Sequence, residues 1–94
     1  MKLEWSAAAL ADLDRFAVFL HDRYPYLAKI VAGEILQKVQ IISEHPQLGR
    51  PIEGRTGYRE VILQILNARY AFRYAYDGEH IVMLRVFQGR EARD

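Results

Sequence analysis

Residues 58–76 read Tyr58-Arg59-Glu60-Val61-Ile62-Leu63-Gln64-Ile65-Leu66-Asn67-Ala68-Arg69-Tyr70-Ala71-Phe72-Arg73-Tyr74-Ala75-Tyr76, and their periodicity decides the fold. Bulky apolar residues recur at every second position, which is the spacing of side chains on one face of a strand. The pattern predicts strands over Tyr58–Leu66 and Arg69–Tyr76. A third, His80–Phe87, follows Asp77-Gly78, a strong two-residue hairpin turn; Asn67-Ala68 is a weaker one. Even-length turns put Val61, Leu63, Ile65, Tyr70, Phe72, Tyr74, Ile81 and Met83 on one continuous apolar face. The opposite face carries Glu60, Ile62, Gln64, Arg69, Ala71, Arg73, Ala75 and a ridge of Val82, Leu84 and Val86.

Upstream the period is helical. Lys2–Trp5 is a short apolar-alternating start that reads as a strand, and Ser6 is an N-cap candidate. Leu10, Leu13, Ala17, Leu20 and Tyr24 form a stripe, which Phe16 and Phe19 widen. Tyr24-Pro25 ends that helix, because proline cannot continue it. A second stripe, Ala28, Val31, Ile35, Val39 and Ile42, runs to His45-Pro46. Gly33 within it signals either a close helix crossing or nothing. Two helices joined around Pro25 predict an antiparallel hairpin. Residues 46–57, punctuated by Pro46, Gly49, Pro51, Gly54 and Gly57, read as a loop. The expected fold class is α+β, in the order β-α-α-β-β-β. An N-terminal strand precedes a helical hairpin packed on one face of a small antiparallel sheet, in a single domain over residues 1–94.

Both helices are used on the apolar face, so the Val82–Leu84–Val86 ridge has no cover within the chain. Such a patch is either a partner site or a surface closed by arginine stems beside the small Ala71 and Ala75.

Composition narrows the function. The chain of 94 residues has no cysteine, which excludes a disulfide framework and a thiolate zinc site. No stretch has the apolar length of a membrane span, and no basic-then-apolar leader pattern opens the sequence; a cytoplasmic protein is expected. The net charge is only +1, well short of a dedicated nucleic-acid binder. Residues 46–94 nevertheless contain eight arginines and no lysine, a bias that suits forked or stacked contacts. His21, His45 and His80 lack metal-ligand spacing. Ser6 and Ser43 lack nucleophile context, and no glycine-rich phosphate loop occurs. No metal, cofactor or catalytic constellation is expected.

Four motifs in order carry a resemblance. They are His45-Pro46-Gln47-Leu48-Gly49-Arg50-Pro51, Tyr58-Arg59-Glu60-Val61, Arg69-Tyr70-Ala71-Phe72-Arg73-Tyr74 and Met83-Leu84-Arg85-Val86-Phe87-Gln88-Gly89-Arg90. With Trp5 and the Ala/Asp/Leu-rich first helix, they resemble the RelE/ParE superfamily of type II toxin–antitoxin systems over nearly the whole chain. One branch cuts mRNA on the ribosome; the ParE branch poisons DNA gyrase. Where the nuclease branch often has an arginine after the third-strand tyrosine, this chain has Ala71. Where that branch often has a histidine near the end of the last strand, it has Gln88, and the tail Glu91-Ala92-Arg93-Asp94 contains no tyrosine. Gln88 also departs from the ParE-like pattern.

The resemblance therefore implies a ParE-like toxin that arrests growth through DNA gyrase and is neutralised by a cognate antitoxin protein, with which it would form a hetero-oligomer. No direct nucleic-acid binding is expected without the antitoxin. The alternatives are a ribosome-dependent mRNA endoribonuclease of the RelE type and a non-toxic antitoxin-binding relative. Arg59, Arg85, Phe87, Gln88 and Arg90 are the candidate target-binding residues. Phe16, Phe19, Arg73, Val82, Leu84 and Val86 are the candidate antitoxin-binding residues.

Overall fold

The computed structural model describes residues 1–89. Along the chain lie β1 (Leu3–Trp5), α1 (Ala7–Arg23), α2 (Pro25–Lys38), α3 (Gln40–Glu44), β2 (Arg50–Pro51), β3 (Tyr58–Ile65), β4 (Ala68–Tyr76) and β5 (Ile81–Gln88). The five strands form one sheet in the order β1-β5-β4-β3-β2. Pairing is antiparallel except for β1, which runs parallel to β5 at the edge. The expected α+β architecture stands. A two-residue strand is added inside the 46–57 loop, and the second helix is divided at Val39.

The apolar faces meet as the periodicity dictates. Val61 lies opposite Phe72 and Leu63 opposite Tyr70. Tyr70, Phe72, Tyr74, Ile81 and Met83 are buried in a core closed by Phe16, Val31, Ile35, Val39 and Ile42. Burying each such side chain contributes about 1.5–3 kcal/mol. Ser6 caps α1, its Oγ accepting from Ala9 N at 3.0 Å and donating to the Leu84 carbonyl at 3.0 Å. The first helix is thereby fixed to the middle of β5.

Two readings of the sequence need correction, and one left open is decided. The Ala9, Asp12 and Phe16 edge of α1 faces inward, while Leu10 and Tyr24 are more than half exposed. Asp12 turns the helix this way because its carboxylate satisfies polar groups on β5. Gly33 marks no close crossing: a Cβ there would meet nothing within 4 Å.

The second correction concerns register. The hairpin after β4 closes through four residues, with Tyr76 opposite Ile81. Asp77 Oδ1 accepts from the amides of Glu79 and His80. An even loop keeps Ile81 and Met83 facing the helices. Then Tyr74 pairs with Met83 but Arg73 pairs with Arg85, leaving Leu84 as the extra residue of a β-bulge. The bulge exchanges the faces of the rest of the strand. Val86 sits opposite Phe72 and is fully buried, so it is core and not part of a surface ridge. Arg85 and Phe87 take the open-face positions beside Arg73 and Ala71.

Candidate partner-binding surface

The sheet face away from the helices is built by β3, β4 and β5. Its middle row runs Glu60, Arg73, Arg85 across three strands, with Arg50 of β2 opposite Glu60. Beside it runs Ile62, Ala71, Phe87. Arg73 Nε and Nη2 donate to one oxygen of Glu60 at 3.3 and 3.1 Å. The Arg73 and Arg85 guanidiniums lie 5.5 and 5.0 Å from the Phe87 ring centroid, within cation–π range.

Arg85 is fixed from the helix side. Its Nε donates to Asp12 Oδ2 at 2.8 Å and its Nη2 to Oδ1 at 3.1 Å. Asp12 also accepts the Val86 amide at 2.8 Å and Arg15 Nη1 at 2.9 Å. The bulge leaves the Val86 amide without a strand partner at the sheet edge, and Asp12 supplies the acceptor. Burial pushes the Asp12 carboxyl up. The hydrogen bonds from Arg85, Val86 and Arg15 outweigh that and hold its pKa below the ordinary carboxylate value.

A second cluster shapes the 46–51 loop. The fully buried Tyr74 hydroxyl donates to the Pro46 carbonyl at 2.7 Å and accepts the Gly49 amide at 2.8 Å. Arg59 Nη1 donates to the carbonyls of Gln47 at 3.2 Å and Gly49 at 2.7 Å. Burial raises the Tyr74 pKa, partly countered by the Gly49 amide and Arg59. A Cβ at Gly49 would stand 2.8 Å from the Tyr74 oxygen, so glycine is required there by contact.

These clusters divide the sequence-derived candidates. Arg85 and Phe87 come together on the sheet face away from the helices, where Phe87 is buried and the Arg85 side chain 43% exposed. Arg59 lies opposite Tyr74 and Gln88 opposite Tyr70, both on the helix side. Arg90 is outside the described residues. Phe16 is 5% exposed and belongs to the core, because its ring packs edge-on against Tyr70 with centroids 5.5 Å apart. Arg73 is buried under its Glu60 and Phe87 contacts, whereas Phe19 is 51% exposed and Val82 and Leu84 are half-buried. Asp12, Glu60 and Tyr74 are not among the candidate site residues, although the periodicity places Glu60 and Tyr74 on their sheet faces. Asp12 had one signal: Ala9 and Phe16 flank it at helical spacing.

Between α1 and α2, Leu13, Ala17, Leu20 and Leu36, together with the core residues Phe16, Val31 and Ile35, line an apolar cavity of about 80 Å³. Among the described residues no three His, Cys, Asp or Glu converge as a metal site. None of the helices there is long and apolar enough to cross a membrane.

Comparison with known proteins adds three findings. A family model described as "ParE toxin of type II toxin-antitoxin system, parDE" matches residues 3–93. No curated protein matches significantly. Among solved structures, the chain is similar to one titled "Chromosomal ParDE TA system from P. aeruginosa", with 25% identity and a TM-score of 0.77 over 96% of this chain and 97% of that one.

Proposed function

This chain belongs to the ParE toxin family of type II toxin–antitoxin systems, and we propose that it arrests growth through DNA gyrase when free and is silenced by a cognate antitoxin. The observation that carries the reading is the family match over residues 3–93. The open face supports the same reading. Of the two cations beside Phe87, Arg73 is buried against Glu60 while the Arg85 side chain, oriented by Asp12, is 43% exposed, so Arg85 is the one placed for forked contacts with a protein surface.

For the antitoxin, the apolar cavity between α1 and α2 and the exposed Phe19 of α1 offer a receptor for an amphipathic helix. Leu84, half-buried at the bulge next to the start of α1, is a separate candidate contact. The antitoxin segment would order as it covers these residues, burying apolar area that is otherwise in contact with water. The relative in the P. aeruginosa structure is described as part of a ParDE system, which fits a toxin–antitoxin pair here.

The deciding experiment is a purified-protein assay run in parallel on gyrase with supercoiled plasmid and on a translating ribosome system. Accumulation of gyrase cleavage complexes is the expected result. Codon-specific mRNA cleavage with no effect on gyrase would overturn the reading.

A further inference from the structure

One edge of the open face is unfinished. The two-residue strand β2 pairs only with Arg59 and Glu60, so among the described residues the outer edge of β3 has no strand neighbour from Val61 to Ile65. Unpaired edge backbone is a template for an added strand. Beside it lies a depression of about 470 Å³, lined by Leu48, Arg50, Ile52, Glu60, Ile62 and Arg73 among others, a size within the range of ligand sites.

The lining is amphipathic in a definite way. Leu48 is 42% and Ile62 54% exposed. Glu60 is occupied by Arg73. Arg50 is exposed and, among the described residues, has no ion pair or side-chain hydrogen bond. Among the described residues lining the depression, Arg50 and Arg73 outnumber Glu60, and Arg50 is the exposed cation at its rim. The wall is also fixed in advance, since Tyr74 and Arg59 hold the backbone of residues 46–49 through four hydrogen bonds. A surface ordered before binding loses less entropy on binding.

We propose that this edge and depression receive an extended acidic segment of a protein partner. The segment continues the line of β2 along β3, seats an aliphatic side chain between Leu48 and Ile62, and places a carboxylate on Arg50. The inference rests on the β3 edge and Arg50, not on the gyrase or antitoxin reading, and its test uses neither protein.

The probe is a fluorescein-labelled peptide alternating glutamate and leucine, followed by anisotropy against the full chain. A lysine–leucine peptide and a single-stranded oligonucleotide serve as competitors. Saturable binding is expected, weakened about tenfold by Arg50→Glu and by Ile62→Ser, with Arg50→Glu now accepting the lysine peptide. Both positions are exposed, and circular dichroism checks that the variants fold. Lack of saturable binding, indifference to both substitutions, equal binding of the lysine peptide, or preference for the oligonucleotide would each overturn the proposal.

Discussion

Asp12 of α1 and Arg85 of β5, 73 residues apart in sequence, meet through two hydrogen bonds of 2.8 and 3.1 Å at the point where β5 bulges. The same carboxylate accepts the Val86 amide that the bulge exposes. Removing it strands a buried amide and one end of an ion pair. Asp12→Ala is expected to cost about 2–3 kcal/mol, somewhat less than for a fully buried pair because the Arg85 side chain stays 43% exposed. Asp12→Asn, which still accepts from Val86, should cost less. Urea denaturation of the three proteins checks the ranking, and equal midpoints would show that the bulge does not depend on Asp12.

The depressed pKa of Asp12 also sets a pH dependence. A carboxyl whose folded pKa lies below its unfolded value stabilises the fold above the unfolded value, and that stability is lost as pH falls through the folded one. The fully exposed Asp77 acts in the same direction. The amides of Glu79 and His80, then the His80 ring, hold it at about 2. Stability should therefore fall on acidification from below about pH 4 toward pH 2. The Asp12→Asn variant should show a shallower fall when urea midpoints are measured across that range.

The core was legible because β3, β4 and α2 obey single periods. Every apolar residue of the α2 stripe, Ala28 through Ile42, is buried. The far half of β5 was not legible, for a physical reason. From Ile81 to Phe87 every residue except Arg85 is apolar, so both alternations look like a core face and a one-residue bulge leaves no trace in the pattern. Asp12 was hidden differently: an acid in an amphipathic helix reads as solvent-facing unless the strand amide it serves is known. The family motifs located Arg85 and Phe87, but only the bulge explains why they share the face of Arg73.

Tyr74 and Gly49 act as one unit. Tyr74→Phe removes the acceptor of a buried amide and should cost about 1–3 kcal/mol. Gly49→Ala drives a methyl against the Tyr74 oxygen and should cost a similar amount, about 1–3 kcal/mol. The phenylalanine variant lacks that oxygen but keeps the ring carbon a Cβ would meet at 2.9 Å, so the double substitution should be only partly milder than the sum, with a coupling of about 0.5 kcal/mol. Strict additivity in a double-mutant cycle would mean that the loop does not depend on their contact. Hydrogen exchange at the Gly49 amide should quicken in Tyr74→Phe whatever the global stability.

The antitoxin reading distinguishes an exposed residue from a buried one in the same original set of candidates. Phe19 is 51% exposed on α1, with the Arg23 guanidinium 4.5 Å from its ring centroid, so Phe19→Asp should leave the fold intact. If a partner covers it, losing the aromatic and burying a charge should weaken antitoxin binding by at least about 2 kcal/mol, roughly thirtyfold. Leu84→Asp should weaken binding as well, but from a half-buried position it should also lower the melting temperature. Val86→Asp should unfold the domain outright, since it places a carboxylate against Phe72 in the core. Isothermal titration with the antitoxin, alongside thermal melts, separates the three. Full affinity in a folded Phe19→Asp protein would move the antitoxin off the outer face of α1, leaving the open sheet face as the surface to probe.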